Sequence, residues 1–161
     1  RADDIQNFFG DGAGFGIPIL YSVEPRPLGT AGSVKFADKF LDPHEPFLII
    51  SGDALTDIDL SEIVAFHKRV GAAVTITLAH VPNPLEYGVI IADGNGRIEK
   101  ILEKPSWGQV VSDTVNTGIY VISPEVMNEI ELGAAFDFSK DLFPLLLERG
   151  APLYGYVADG Y

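Results

Sequence analysis

A carboxylate stands directly after an apolar, strand-like segment of this sequence. Residues 47–51 are apolar and β-prone, and Gly52 and Asp53 follow them. Ligands of parallel sheets gather beyond the carboxyl ends of the strands, so we expect Asp53 at such an edge. Its oxygens suit Mg²⁺, a cation that also binds substrate phosphates. The segment therefore favours Asp53 as a metal ligand, with a turn-capping carboxylate as the alternative.

Two further carboxylates, Asp57 and Asp59, form an Asp-x-Asp pair of the kind that sugar-nucleotide transferases use. The pair lies several residues past the strand and just before a helix predicted from Leu60. Acidic residues in that position stabilise the start of a helix. Helix capping therefore explains the pair better than a metal site does.

A glycine-rich run follows the apolar segment 17–23, which itself predicts a strand. Glycine has no Cβ, so the backbone of such a run can approach a ligand closely. Glu24 stands just before the run, where its carboxylate can accept hydrogen bonds from a flat ligand that carries donors. The candidate binding residues of the run are Pro27, Leu28, Gly29 and Thr30. A capped structural turn is the alternative.

Two later segments place polar or aromatic groups at strand ends. Gly88 interrupts a β-branched strand, which marks close approach of a ligand or a bulge, and the ring of Tyr87 beside it can cover a sugar face. Glu103 and Lys104 end another strand because Pro105 prevents further pairing. A carboxylate accepts from sugar hydroxyls and an ammonium binds phosphate, although a solvated surface pair is the alternative.

Asn116 lies near the start of a strand predicted over 114–122, where its amide can bond hydroxyls in both directions. The three histidines, His44, His67 and His80, fall in a loop, on a helix face and at a strand end. They show neither metal-ligand spacing nor a nearby serine motif. We therefore assign them no catalytic role.

Composition narrows the class of protein. The chain has 161 residues, of which 47% are hydrophobic, and no cysteine, which excludes disulfides and fits a cytoplasmic protein. The net charge of −12 disfavours nucleic acid as a partner. No apolar run reaches the roughly 18–20 residues of a membrane helix, so we expect no membrane partner. A homo-oligomer is compatible with these features.

Strand and helix signals alternate along the chain, which predicts one α/β domain with a mixed, mostly parallel sheet. An antiparallel hairpin around the turn 93–96 interrupts it. Ser123 and Pro124 predict a capped helix start. The remaining strands are expected at 47–51, 73–78, 87–92, 97–103, 114–122 and 152–157, and helices at 33–41, 60–68 and 138–149.

Five motifs occur in an order that resembles the sugar-1-phosphate nucleotidyltransferases, or NDP-sugar pyrophosphorylases. Most similar in pattern are the bacterial mannose-1-phosphate guanylyltransferases, and the likeness spans essentially the whole chain. Each motif is weak alone, and their order makes the likeness specific. The motifs are Pro-Leu-Gly-Thr-Ala-Gly at 27–32, Gly-Asp at 52–53, Glu-Tyr-Gly at 86–88, Glu-Lys-Pro at 103–105 and Asn-Thr-Gly-Ile-Tyr at 116–120.

The resemblance implies a Rossmann-like nucleotidyltransferase fold and a reaction of an NTP with a sugar 1-phosphate. It implies that Gly29 and its neighbours, with Gly52, bind the nucleotide and that Asp53 holds Mg²⁺ in catalysis. It places Lys104 at the sugar phosphate as a second catalytic residue. The residues implied at the sugar are Tyr87, Gly88, Glu103 and Asn116.

Glu24 favours guanine, because the base offers two adjacent donors that a carboxylate accepts together. Uracil and thymine offer one donor between two acceptors, and family members that use them tend to carry Gln nearby. We therefore expect GTP and mannose 1-phosphate. A UTP- or dTTP-dependent glucose-1-phosphate enzyme is the alternative, and a regulatory homologue without catalysis is another.

Two departures from the family pattern bear on activity. The family's glycine-rich N-terminal loop, which carries a catalytic Lys and holds the NTP phosphates, has no counterpart here. The sequence also ends at Tyr161, where relatives continue to a Trp and a second metal-binding Asp. We therefore expect residues 1–161 to be a partial nucleotidyltransferase domain that is inactive without the rest of its parent protein.

Overall fold

The computed structural model describes residues 2–103, 106 and 112–160. Six strands form one mixed sheet in the order β4-β3-β5-β2-β6, with β1 also paired to β5. No helix among these residues is long and apolar enough to cross a bilayer. The strands are β1 (Phe47–Ile50), β2 (Val74–His80), β3 (Gly88–Ala92), β4 (Ile98–Glu103), β5 (Thr114–Ile122) and β6 (Leu153–Val157), and the helices are α1 (Ala2–Phe9), α2 (Gly29–Ala37), α3 (Leu60–Val70) and α4 (Phe143–Glu148).

Strand β5 organises the sheet. It runs antiparallel to β2 along one edge and antiparallel to β1 and β3 along the other. The three partners of β5 therefore point the same way, and β6 shares their direction because it is parallel to β2. The expected α/β mixed sheet is confirmed. Most strands share one direction, yet most neighbouring pairs are antiparallel, since β5 lies between strands that would otherwise be parallel partners.

Three local expectations differ from the structure. Segment 17–23 forms no strand: none of the described strands pairs with it, and Leu20 is 67% exposed, because an apolar pattern makes a strand only where a backbone partner is available. Helix α2 begins at Gly29, before the expected start at Ser33, so the glycine run lies in its first turn. Ser123 precedes a 3₁₀ turn (Pro124–Glu129), but its hydroxyl makes no cap bond there.

The sheet is covered on both faces. Successive residues of a strand point to opposite faces, so Tyr120 and Ile122 enter one core while Ile119 and Val121 enter the other. In the larger core, the rings of Tyr120, Phe138 and Phe143 lie with centroids 5.1–5.6 Å apart. These aromatic contacts join the sheet to the helical segment 138–148, which begins with the π-helical turn Phe138–Leu142.

Candidate nucleotide and sugar-phosphate site

The register of β5 brings the predicted site segments to one part of the sheet. Ile50, the last residue of β1, pairs with Ile119, so the loop 51–55 emerges beside the first half of β5. Val89 pairs with Val115 and Gly88 with Glu103. Asn116 therefore lies between the loop that carries Asp53 on one side and the Gly88–Glu103 pair on the other. Four segments that are distant in sequence therefore meet at one part of the sheet.

Loop 51–55 is open to solvent. Its first residue is held, since the Ser51 amide donates to the Gly118 carbonyl at 3.2 Å. Asp53 is exposed and makes no hydrogen bond or ion pair with any other described residue. It lines a cavity of 480 Å³ together with Thr30, Tyr120 and Phe138. Its carboxylate oxygens are therefore free to bind a ligand.

The donor set fits a magnesium ion that is shared with phosphates. Mg²⁺ is commonly held by one or two carboxylates, with water and substrate phosphates completing its shell, and the free carboxylate of Asp53 meets that requirement. The described part of the chain contains no group of three or more His, Asp or Glu side chains able to hold a metal by themselves. Asp59 instead caps α3, accepting from the Ser61 amide at 2.8 Å. The preference for capping over an Asp57–Asp59 metal pair agrees with this contact.

The glycines of the run 27–32 lie against the protein's own backbone. A Cβ on Gly29, whose φ is +72°, would lie 2.6 Å from the Phe136 carbonyl oxygen, and one on Gly32 would lie 2.5 Å from that of Ala134. The amides of Ala31 and Gly32 both donate to the Phe136 carbonyl at 3.0 Å. The sequence predicted that these glycines let the backbone approach a ligand, whereas in the structure they let it approach another segment of the protein. The partner in the structure is segment 134–136.

A groove of 690 Å³ lies along the start of α2, between Glu24 and Asp137. The side chain of Leu28 is 1% exposed, so it belongs to the core, and Pro27 and Thr30 remain at the groove. Glu24 accepts from the Leu28 amide through Oε2 at 2.8 Å, which leaves its other oxygen available. Within the described residues the amides of Gly29 and Thr30 have no hydrogen-bond partner, so they can donate to a ligand.

Asp137 links this groove to the helical segment 138–148, a role that the sequence analysis missed. Its Oδ1 accepts from the amides of Ser139 and Lys140 at 2.9 and 3.0 Å, and its Oδ2 accepts from the Thr30 hydroxyl at 3.0 Å. The same hydroxyl accepts from the Phe138 amide at 3.0 Å. The available signal was an Asp directly before a predicted helix, which is a capping pattern.

The residues expected at the sugar differ in whether their side chains are already hydrogen-bonded within the protein or exposed to solvent. The Asn116 amide is engaged within the protein: its Oδ1 accepts from the Gly118 amide at 2.9 Å, and its Nδ2 donates to Tyr120 at 3.0 Å and Ser139 at 3.2 Å. Tyr87 is 47% exposed beside Gly88, so its ring is accessible. Lys104 lies outside the described residues.

This chain is similar in sequence to known proteins. The family model for nucleotidyl transferases matches residues 1–161. The UTP–glucose-1-phosphate uridylyltransferase of Synechocystis sp. is 39% identical over 171 residues, which covers 98% of this chain and 44% of that protein. The mannose-1-phosphate guanyltransferase of Candida albicans is 37% identical over 150 residues, covering 91% of this chain and 40% of that protein.

The fold has a solved counterpart. A crystal structure from Bacillus anthracis, determined in complex with a sucrose, matches with a TM-score of 0.82 at 23% identity, over 100% of this chain and 65% of that one. The chain spans less than half the length of the two sequence relatives. The match of the family model over the whole chain, together with these relatives, shows that the chain belongs to the nucleotidyl transferase family.

Proposed function

We propose that the protein containing this chain transfers a nucleotidyl group from an NTP to a sugar 1-phosphate. The observation that carries this proposal is the junction at Thr30, which lines both the 690 Å³ groove beside Glu24 and the 480 Å³ cavity beside Asp53. A nucleoside in the groove would thus place its phosphates towards Asp53. Both sequence relatives bear names of such transferases.

The reaction requires alignment and neutralisation of charge. An oxygen of the sugar phosphate attacks the α-phosphorus of the NTP in line, the bond between the α-phosphorus and its bridging oxygen breaks, and pyrophosphate leaves. Mg²⁺ would neutralise phosphate charge when bound. Asp53 would hold that ion, the amides of Gly29 and Thr30 would donate to the nucleotide, and Lys104 would bind the sugar phosphate. Tyr87, Gly88 and Glu103 would border the sugar.

We further propose GTP as the nucleotide and mannose 1-phosphate as the sugar substrate. The carboxylate of Glu24 lines the groove, and its unengaged oxygen together with the second lone pair of Oε2 can accept from the two adjacent donors of guanine. A second candidate is UTP with glucose 1-phosphate, which the 39% identity to the Synechocystis uridylyltransferase favours. In that case Glu24 serves to fix the loop.

The test is a pyrophosphate-release assay on the full-length protein, with Mg²⁺ and each pairing of GTP, UTP or dTTP with mannose or glucose 1-phosphate. We expect turnover with GTP and mannose 1-phosphate. In Glu24→Gln, the ratio of kcat/KM for GTP to kcat/KM for UTP should fall about tenfold, which is the effect of one charged hydrogen bond. Glu99→Gln, at an exposed position of β4, is the matched control and should retain the preference.

Each alternative has its own result. Turnover with UTP and glucose 1-phosphate, unaltered in base preference by Glu24→Gln, would replace the guanine assignment while leaving the reaction class intact. Nucleotide binding without pyrophosphate release from any pair would instead identify a regulatory homologue.

A further inference from the structure

We propose that Asp137 is a positioning residue that holds Thr30, and with it the start of α2, in the geometry that binds the nucleotide. This inference rests on the proposed function of the groove. Asp137 itself acts through Thr30, and the contact joins residues 107 positions apart in sequence.

Two helix starts meet at the Asp137 carboxylate. Helix α2 begins at Gly29, and the helical segment 138–148 begins directly after Asp137. The first turn of a helix carries amides without intrahelical partners and the positive end of the helix dipole. One oxygen of Asp137 serves the second helix through Ser139 and Lys140, and the other serves α2 through Thr30. A single carboxylate therefore links the two helix starts.

The direction of the Thr30 hydroxyl follows from this arrangement. A hydroxyl has one proton, and here that proton points to Asp137, while the oxygen accepts from the Phe138 amide. The hydroxyl is thus committed to the protein, and the group that Thr30 offers to a ligand is its backbone amide. The direction in which that amide N–H points depends on the Thr30–Asp137 hydrogen bond.

Backbone bonds keep the segments together without this contact. The Phe136 carbonyl accepts from the amides of Ala31 and Gly32, and the Phe136 amide donates to the Leu28 carbonyl at 2.8 Å. Removal of the Thr30–Asp137 bond should therefore leave the fold intact and loosen only the first turn of α2. The KM for the NTP should rise roughly fivefold, the effect of one hydrogen bond of about 1 kcal/mol, with kcat and the KM for the sugar phosphate nearly unchanged.

A double-mutant cycle tests the coupling in the full-length protein. Thr30→Val, Asp137→Ala and the double variant are compared by KM for the NTP, KM for the sugar 1-phosphate and kcat. We expect each single variant to raise the first KM, and the double variant to raise it no further, because all three lack the same bond. Thr30→Ser keeps the hydroxyl and should recover most of the loss. If Asp137→Ala does not fold, Asp137→Asn keeps a carbonyl oxygen for the second helix and replaces it in the cycle.

A matched control separates positioning from helix stability. Asp141 accepts from the Asp137 amide at 2.8 Å and makes no hydrogen bond with Thr30, so Asp141→Ala weakens the same helix start without removing the Thr30–Asp137 bond. It should leave the KM for the NTP unchanged. Effects of Thr30→Val and Asp137→Ala that multiply in the double variant, or a KM that no variant changes, would overturn the proposal.

Hydrogen exchange gives a readout that does not depend on activity. Amides of residues 28–32 should exchange faster in both single variants and no faster in the double variant. If the wild-type protein turns over no NTP and sugar phosphate pair, the proposed function fails, and exchange then decides the coupling by itself. Unchanged exchange at 28–32 would overturn the coupling even in an active enzyme.

Discussion

The two sides of the candidate site are built differently. Along the groove, Gly29 and Gly32 are pressed against the backbone of 134–136, and Leu28 is 1% exposed. In loop 51–55, a Cβ added to Gly52 would meet no atom within 4 Å, and Leu55 is 79% exposed. The protein's own contacts therefore hold the first side in place before any ligand binds. The second side presents a carboxylate that has no partner among the described residues.

This difference shows that glycine serves two purposes in one site. In the groove it permits a close approach of two backbone segments, and in the loop it leaves space around Asp53. A preformed surface loses little conformational entropy when a ligand binds, whereas an open loop must be ordered at that moment. We therefore expect substitutions at the close-packed glycines of the groove to affect folding first and loop substitutions to affect ligand binding and catalysis first.

The largest expected effect on stability is that of Gly32→Ala, compared with Gly52→Ala. Ala normally stabilises a helix interior relative to Gly by roughly 0.5–1 kcal/mol. At Gly32 the new methyl group would lie 2.5 Å from the Ala134 oxygen, so the free energy of unfolding should fall by roughly 1–3 kcal/mol. Gly52→Ala should change it by less than about 0.5 kcal/mol. Urea unfolding of both variants measures this, and equal stabilities would remove the contrast between the two sides.

The next effect concerns activity and compares Asp53→Asn with Asp59→Asn in the full-length protein. Loss of the free carboxylate should lower kcat/KM about 100-fold, or about 2.7 kcal/mol, with stability unchanged. Asn caps helices as well as Asp does, so Asp59→Asn should keep both activity and stability. A larger loss of activity in Asp59→Asn would instead favour the metal pair of the sugar-nucleotide transferases.

A buried histidine, His67, lies outside both sides of the candidate site. His67 is 2% exposed and bridges Thr75 through Nδ1 at 3.0 Å and Ser123 through Nε2 at 3.1 Å. Ser123 uses its one proton on the Ala72 carbonyl, so Nε2–H of His67 donates to Ser123, and in the neutral imidazole Nδ1 accepts from the Thr75 hydroxyl. Burial is the main cause that lowers the pKa of His67 below 6.5, which favours this neutral form.

The smallest expected effect follows from that histidine. In the unfolded chain His67 takes up a proton as the pH falls through 6.5, and in the folded chain it does so only at lower pH because its pKa is lowered. The unfolded state binds more protons in this interval, so stability should fall as the pH falls from 7.5 to 5.5. His67→Gln should reduce this slope, and His44→Gln, at an exposed loop position, should retain it. The free energy of unfolding is measured with urea at each pH. The same dependence on pH in the wild type and both variants would contradict the assignment of this effect to His67.

Local patterns predicted much of the fold. The turn 93–96 and the alternation around it predicted the β3–β4 hairpin, β5 begins and ends where expected, and the helix expected at 60–68 is α3. Segment 17–23 was predicted wrongly because an apolar pattern cannot show whether a partner strand lies beside it. The cap at Ser123 was predicted wrongly because the hydroxyl bonds to Ala72 and His67, contacts that no local pattern reveals.

The sequence by itself determined the candidate groups: the carboxylate after β1, the glycine run, the hairpin and the order of the motifs. Turns, caps and periodicity depend on neighbouring residues, so they can be recognised in the chain. The tertiary structure decided which groups meet. The register of β5 placed Asn116 between the Asp53 loop and Gly88, and the bond from Thr30 to Asp137 spans 107 positions. Such contacts arise only when the whole core packs, because no short segment contains both partners.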